Sequence, residues 1–199
     1  MPEGDDPGQG AITFVAGAEV APVVQWLYMR ARISNRKFQK MAEYADPENT
    51  LVIETTKGNV VIEMRPDLAP NHVAHIKKLV REGFYDGIVF HRVIDGFMAQ
   101  TGCPQGRGTG GSKYPDLKQE FNAEPHVRGT ASMARAQSPD SANSQFFICF
   151  GDTPFLNKQY TVWGKVTEGM ENVDQIKRGE PVINPDKMLS VKVAADIAA

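Results

Sequence analysis

The stretch from Phe90 to Gln100 contains the side chains of this sequence that are best suited to chemistry. It sets Arg92 in a strand-like apolar run, follows it with a turn at Gly96, and ends with two large apolar residues and an amide. An arginine is permanently charged and offers a rigid fork of hydrogen-bond donors, which act most strongly where an apolar surface excludes water. An arginine beside an apolar strand is usually a surface residue, however, so this stretch alone does not define a function.

The elements that must hold this stretch are mostly short strands. Strand-like runs cover residues 51–56, 60–64, 89–94, 131–134, 145–150, 161–166 and 189–193. The first two runs predict a hairpin, because Gly58 and Asn59 between them tolerate the positive φ of a tight turn. Apolar spacing predicts one helix from Pro70 to Glu82 and a second from Met170 to Arg178. Many short strands, two helices and Gly-rich connections indicate a closed antiparallel barrel with the helices outside it.

Five strings in the sequence occur in the order and approximate spacing that is typical of cyclophilins. They are FHRVIDGFMAQ, GTGG, SMARA, NSQFFI and WGKV. Any one of them would be weak support, but five in register are very hard to obtain by chance. From Leu51 onward the chain therefore resembles a compact bacterial cyclophilin. The resemblance implies a peptidyl-prolyl cis–trans isomerase with a mainly-β fold, a closed eight-stranded antiparallel β-barrel capped by two α-helices.

The resemblance also implies roles for individual residues. Arg92 matches the catalytic arginine of the family, and Gln100 matches the residue that binds the substrate backbone. The walls of the pocket for the substrate proline ring match Phe97, Met98, Phe147 and Leu156. The peptide groove and its rim match Gly108, Ala134, Arg135, Ala136, Gln145, Phe155 and Tyr160. Because strand side chains alternate between two faces, we expect Phe146 to lie in the core, opposite to Phe147.

Two rim positions differ from the animal members of the family. Phe155 and Tyr160 stand where many eukaryotic cyclophilins carry Trp and His, and the loop from Ser138 to Asn143 also looks bacterial. These differences leave the chemistry untouched, but they predict that a cyclosporin-type inhibitor binds weakly.

The implied reaction needs neither a cofactor nor a metal. Resonance gives the X–Pro bond a rotation barrier of roughly 18–20 kcal/mol, and uncatalysed exchange takes on the order of 10–100 s. A millisecond turnover requires the barrier to fall by about 6 kcal/mol. A hydrogen bond from Arg92 to the prolyl nitrogen, which becomes basic as resonance is lost, stabilises the twisted amide over the planar one.

Several residues suggest other chemistry. His91 adjoins Arg92, but isomerisation moves no proton, so we expect a packed core histidine. His72 and His75 are spaced along the first helix without further metal ligands, so we expect them to be solvated. Cys103 and Cys149 are expected to be buried thiols. The non-enzymatic alternative is a proline-motif binder or chaperone that uses the same pocket, although such a binder would not need Arg92.

A second alternative is a nucleotide-binding protein. Residues 106–111 satisfy the pattern GxGxxG, but a dinucleotide site requires a preceding strand and a helix that begins at the loop. Pro115 follows instead, and we expect a loop that lines the peptide groove. A net charge of −2 gives no electrostatic reason to expect nucleic acid or anionic lipid as a partner. The partners expected are therefore proline-containing peptides and unfolded protein clients.

The first 40 residues differ in composition from the rest of the chain. An acidic, Gly/Pro-rich start precedes an apolar stretch and then a basic one, which is the reverse of the charge order in a secretory signal. We expect residues 1–40 to be a flexible or dispensable extension and residues 41–199 to form the isomerase domain. Two cysteines without CxxC spacing favour a reducing compartment, so we expect a protein of the cytoplasm. No apolar run approaches 18 residues, so no membrane span is predicted. We also expect a monomer.

Overall fold

The computed structural model describes residues 44–197, and the predicted hairpin is the first part of its sheet. Strands β1 (Thr50–Thr55) and β2 (Gly58–Met64) pair antiparallel with Thr55 opposite Gly58, so the turn lies where the glycine predicted it. The eight strands are β1 (Thr50–Thr55), β2 (Gly58–Met64), β3 (Arg92–Ile94), β4 (Met98–Thr101), β5 (Thr130–Met133), β6 (Phe146–Cys149), β7 (Val162–Glu168) and β8 (Met188–Val193). The two α-helices are α1 (Pro70–Arg81) and α2 (Met170–Asp174). The predicted extension, residues 1–40, lies outside the described residues.

The strands form one antiparallel sheet in the order β3-β4-β6-β5-β7-β2-β1-β8. The prediction of a closed barrel is wrong, because the sheet is a curled half-barrel whose terminal strands, β3 and β8, share no ladder. Within the described residues, the two ends are joined by two isolated bridges, Val89 to Lys187 and Val93 to Gly179, and by scattered backbone hydrogen bonds. The segment before β8 contains Pro181 and Pro185, which have no backbone N–H to donate, so a continuous ladder cannot form there.

Both helices end before their predicted last residues, but by different amounts. Helix α1 ends one residue before the predicted end, whereas α2 ends four residues early, at Asp174. Beyond α2, the Lys177 amide donates to the Asp186 carboxylate at 2.9 Å instead of extending the helix. Arg178 Nη1 donates to the Asp174 carbonyl at 2.8 Å, so a side chain takes the place of the next helical turn at the C-terminal end of α2.

The buried apolar residues fall into two clusters of unequal size. The main core contains Phe146 and Ile148 together with the buried faces of both helices. A smaller cluster consists of Met98, Phe147, Cys149 and Leu156, with further residues packed against it. Alternation along β6 thus separates Phe146 from Phe147, which confirms the prediction for the two faces of this strand.

The two histidines of α1 correct an expectation from the sequence. His72 is fully buried, and its Nδ1 lies 2.6 Å from a Glu120 carboxylate oxygen, so the prediction that it is solvated is wrong. The same carboxylate accepts the backbone N–H groups of Asn71 and His72, which gives α1 the N-terminal cap that Ala69 cannot supply. His75 is half-buried with its ring edge against Tyr114.

The described residues also provide information on the cysteines, on metal binding and on membrane crossing. Cys103 and Cys149 are both buried and unpaired, as predicted. Within residues 44–197, no three His, Cys, Asp or Glu side chains form a group that could hold a metal ion. In the same range, no helix has the length and apolar character that a membrane crossing requires.

Candidate active site

A small open pocket of about 130 Å³ lies on the side of the sheet that faces away from the main core. It brings together residues from three strands, from the segment after β5, and from the region between β6 and β7. Its lining consists of Arg92, Phe97, Met98, Gln100, Ala134, Arg135, Phe147, Leu156 and Tyr160. Nine of the thirteen residues that the resemblance singled out therefore converge on one cavity.

Strand register explains why these residues meet. Arg92 of β3 lies opposite Gln100 of β4, and Gln100 lies opposite Phe147 of β6. Residues directly opposite each other in antiparallel strands share a face of the sheet. Arg92, Gln100 and Phe147 therefore form a row across three adjacent strands. Met98 belongs to a second row, opposite Ile94 and Cys149, and forms the deeper apolar part of the site.

The apolar wall of the pocket is supported from behind by a histidine. Tyr160 packs edge-on against Phe147, with ring centroids 5.7 Å apart, and His126 stacks on the same phenyl ring at 6.1 Å. The His126 ring is also held by the Ser132 hydroxyl at 3.0 Å and the Asn157 side chain at 3.1 Å. Burial lowers the pKa of His126, so the ring is kept neutral beside the apolar wall. His126 was not predicted from the sequence, because nothing in its irregular segment indicates this contact.

Arg92 is held on one side by an acidic residue that the sequence analysis also missed. Its Nε donates to the carboxylate of Glu180, which belongs to the segment between α2 and β8. Within the described part of the chain, the terminal guanidinium nitrogens of Arg92 have no hydrogen-bond acceptor. The Arg92 side chain is 37% exposed, so these donors remain accessible from the pocket.

A chain of amide hydrogen bonds links the pocket to a glycine-rich loop. Gln100 Nε2 donates to Gln145 Oε1 at 3.0 Å, and Gln145 Nε2 donates to the carbonyls of Gly108 and Gly110 at 2.9 and 2.8 Å. No helix begins in this loop, and Gln145 already bonds two of its carbonyls, so the GxGxxG pattern does not form a dinucleotide site. His91, behind Gly108, is buried as predicted, and its burial together with the Arg92 charge lowers its pKa.

The glycine-rich loop borders a second, larger groove of about 450 Å³. The groove shares Gln100, Ala134 and Arg135 with the pocket, so the two cavities adjoin. Three further residues singled out by the resemblance, Gly108, Ala136 and Gln145, line this groove and not the pocket.

Arg135 has a different environment from that of Arg92. Its guanidinium donates to the carbonyls of Ala136, Gln137 and Gln159, and it lies 4.7 Å over the Tyr160 ring. Arg135 therefore braces the wall between pocket and groove, whereas Arg92 keeps free donors.

Phe155 is the remaining residue that the resemblance singled out. It lines neither cavity and lies on the rim, where its side chain is among the most exposed large apolar groups of residues 44–197. Its ring centroid is 5.5 Å from that of Phe97.

Comparison with known proteins points to one family. The family model described as "Cyclophilin type peptidyl-prolyl cis-trans isomerase/CLD" matches residues 50–193. A probable peptidyl-prolyl cis-trans isomerase of Brucella suis is 58% identical over 171 residues, covering 78% of this chain and 87% of the relative. Peptidyl-prolyl cis-trans isomerase B of Bacillus subtilis is 48% identical over 126 residues, covering 62% of this chain and 87% of the relative.

Solved structures show the same relationship. A cyclophilin from Hirschia baltica superimposes with a TM-score of 0.71 at 33% identity, covering 76% of each chain. A cyclophilin-type isomerase of Cryptosporidium parvum, whose crystal structure was determined in the presence of the dipeptide Ala-Pro, gives a TM-score of 0.68 at 27% identity. That superposition covers 72% of this chain and 98% of the Cryptosporidium protein. The chain therefore belongs to the cyclophilin-type peptidyl-prolyl cis–trans isomerase family and is an enzyme of that class.

Proposed function

We propose that this enzyme isomerises X–Pro bonds by an Arg92-assisted loss of amide resonance in an apolar proline pocket. The observation that supports this most directly is the row formed by Arg92, Gln100 and Phe147. It sets a permanent positive charge, a backbone-binding amide and an apolar wall on one face, around a cavity of about 130 Å³.

The apolar wall is proposed to anchor the proline ring. Met98, Phe147 and Leu156 are almost fully buried, so they offer a surface of fixed shape at the base of the pocket. A proline ring that occupies this surface displaces water from it, and the remaining peptide can then turn about the X–Pro bond. Excluding water also strengthens any hydrogen bond made at the mouth of the pocket.

Arg92 is proposed to supply the transition-state interaction. As the bond twists, the prolyl nitrogen becomes pyramidal and gains a localised lone pair that the planar amide lacks. The free terminal donors of Arg92 can bond to this lone pair, which favours the twisted state over both planar isomers. No nucleophile and no proton transfer are required.

The polar groove is proposed to hold the rest of the peptide. Gln100 uses its Nε2 to bond Gln145, which leaves its carbonyl oxygen available to accept a substrate N–H. The segment from Ala134 to Ala136 and the loop at Gly108 border the groove next to the pocket. Fixing the peptide backbone here while the ring is anchored would confine rotation to the X–Pro bond.

The test of this mechanism is to replace Arg92. Arg92→Ala should lower kcat/KM by about 10²–10³-fold, the loss that follows removal of one preorganised donor at a reacting centre. Peptide affinity, measured by NMR titration, should change little, because the ring pocket and the groove remain. Arg92→Lys should be nearly as inactive, since an ammonium group cannot reproduce the planar fork. Near-native turnover of the alanine variant in a protease-coupled assay would refute the mechanism.

The proposal extends to the setting in which the enzyme acts. We expect a monomer of the cytoplasm that serves unfolded protein clients and has a chaperone-like role in folding. Sedimentation at micromolar concentration tests the monomer, and cell fractionation tests the compartment. The refolding rate of a proline-limited protein, with wild type and Arg92→Ala compared, separates isomerisation from simple binding of clients.

A further inference from the structure

The contact between Arg92 and Glu180 suggests a function for a residue outside the pocket. Glu180 is not among the residues that line either cavity of the site, yet its carboxylate accepts the Nε–H of Arg92. We propose that Glu180 is a positioning residue, which fixes the plane of the Arg92 guanidinium so that its terminal donors face the substrate. This inference rests on the proposed catalytic role of Arg92.

The backbone on both sides of Glu180 is tied to β3. Gly179 and Val93 exchange a pair of backbone hydrogen bonds, each of 2.8 Å, and the Val182 amide donates to the His91 carbonyl at 3.2 Å. These bonds lie on either side of Arg92, at Val93 within β3 and at His91 immediately before it. Glu180 is therefore held next to Arg92 by the backbone, unlike most surface ion pairs, in which two long side chains meet without such support.

Local packing makes the position of this segment specific. A side chain at Gly179 would bring its Cβ within 2.8 Å of the Pro181 carbonyl oxygen, so only glycine permits this tight path. One residue before Gly179, Arg178 donates to the Asp174 and Ile176 carbonyls through Nη1, and its guanidinium lies 4.2 Å over the Phe150 ring. The segment is thus anchored before Glu180 independently of Arg92.

The chemical consequence follows from the geometry of a guanidinium group. Its nitrogens lie in one plane, so fixing Nε–H toward Glu180 also fixes the directions of the two terminal NH₂ groups. Because Arg92 lines the pocket, those groups are the donors that remain for the substrate. The carboxylate also reduces the net charge at Arg92, but both side chains are partly exposed, with relative areas of 37% and 55%, and water screens this effect.

Glu180→Ala and Glu180→Gln provide the experiment. We expect Glu180→Ala to lower kcat about tenfold with KM within about twofold of wild type, since a misplaced catalytic group can cost up to about 10²-fold. Glu180→Gln keeps an acceptor oxygen at the same distance along the side chain and should retain most of the turnover. Asp95→Asn is the matched control, because it breaks the exposed Arg178–Asp95 ion pair, 3.0 Å long, without touching Arg92.

A double-mutant cycle with Arg92→Ala separates this inference from the proposed function. If Glu180 acts through Arg92, then Glu180→Ala should have no further effect on kcat in the Arg92→Ala background. An unchanged or increased kcat of Glu180→Ala, with Arg92→Ala inactive, would overturn the positioning role and leave the proposed mechanism intact. An equal loss of kcat from Glu180→Ala in both backgrounds would also overturn it. Retained turnover of Arg92→Ala would overturn both proposals.

Discussion

The two faces of strands β4 and β6 show how one piece of sheet serves both folding and function. On the inner face, Phe146 and Ile148 belong to the main core. On the outer face, Phe147 and Met98 belong to the smaller cluster that forms the pocket. All four residues of β6 are buried, so burial alone does not distinguish the two faces. What distinguishes the outer face is its edge, where Arg92 and the side-chain amides of Gln100 and Gln145 lie next to the apolar wall.

The largest difference between the two faces should appear when Phe146 and Phe147 are replaced one at a time and the variants are compared in stability and KM. Phe146 packs edge-on against Tyr85 and Trp163 with ring centroids 5.7 and 5.4 Å apart, so Phe146→Ala should cost about 3–5 kcal/mol of stability. Phe147→Ala opens onto a cavity that already reaches solvent and should cost about 1–3 kcal/mol. Its main effect should be a KM raised at least about tenfold, because the wall of the ring pocket is lost.

Urea unfolding and steady-state kinetics on both variants check this prediction. Phe146→Leu offers a milder change at the inner face if the alanine variant does not fold. Equal losses of stability from Phe146→Ala and Phe147→Ala, with equal KM values, would contradict the division of β6 into a structural face and a functional face.

Local features of the fold were predictable from the sequence to a greater extent than long-range ones. The β1–β2 hairpin and α1 depend on nearby glycines and on apolar spacing, and their bounds lie within two residues of the predicted ones. The run predicted as one strand over residues 89–94 is shorter, and β4 was not predicted as a separate strand, because the turn at Gly96 between them was visible but the pairing was not.

The candidate site shows the same limit. Twelve of the thirteen residues singled out by the resemblance line the pocket or the adjoining groove, and ten of the thirteen belong to strings that carry the pattern of a family. Glu180 and His126 carry no such pattern, and each reaches the site through contacts between segments far apart in sequence, 88 residues in the case of Arg92 and Glu180. The Glu120 cap of α1 is a further example, since it joins residues 48 or 49 positions apart.

A fall in pH should lower the free energy of unfolding. Burial lowers the pKa of His72, of His91, of half-buried His75 and of His126, which lies behind the outer wall. The unfolded chain, with histidine pKa values near 6.5, then binds more protons than the folded chain in mild acid. The free energy of unfolding should therefore fall as the pH drops below about 6.5 and approach a plateau above it.

Urea unfolding at pH 7.5 and pH 5.5 measures this effect. His126→Gln should reduce the difference between the two pH values, because it removes one of the four titrating groups. A free energy of unfolding that stays constant between these pH values would show that the histidines gain no protons on unfolding.

A smaller effect, confined to the rim of the outer face, should follow when Phe155 is replaced: we expect a change in the affinity for cyclosporin. This side chain is 63% exposed and has no donor, so a bound inhibitor carbonyl there would remain hydrated or unpaired. A hydrogen bond to a neutral partner is worth about 0.5–1.5 kcal/mol. Phe155→Trp should therefore tighten inhibition by cyclosporin by roughly a few-fold to tenfold, with turnover and stability unchanged. Equal inhibition constants for the two proteins in one assay would exclude Phe155 as the determinant.

The smallest effect is expected from removing residues 1–40. The family match begins at residue 50, and the elements of both faces lie between residues 50 and 193, so a chain that begins at Met41 should retain them all. We expect kcat/KM to be unchanged and the melting temperature to shift by less than about 2 °C, as for changes worth about 0.5 kcal/mol. Calorimetry and the isomerase assay on the full and shortened chains test this. A much lower melting temperature would mean that the apolar stretch around Trp26 contributes to the core. A changed KM at constant stability would likewise contradict the prediction that residues 1–40 are dispensable.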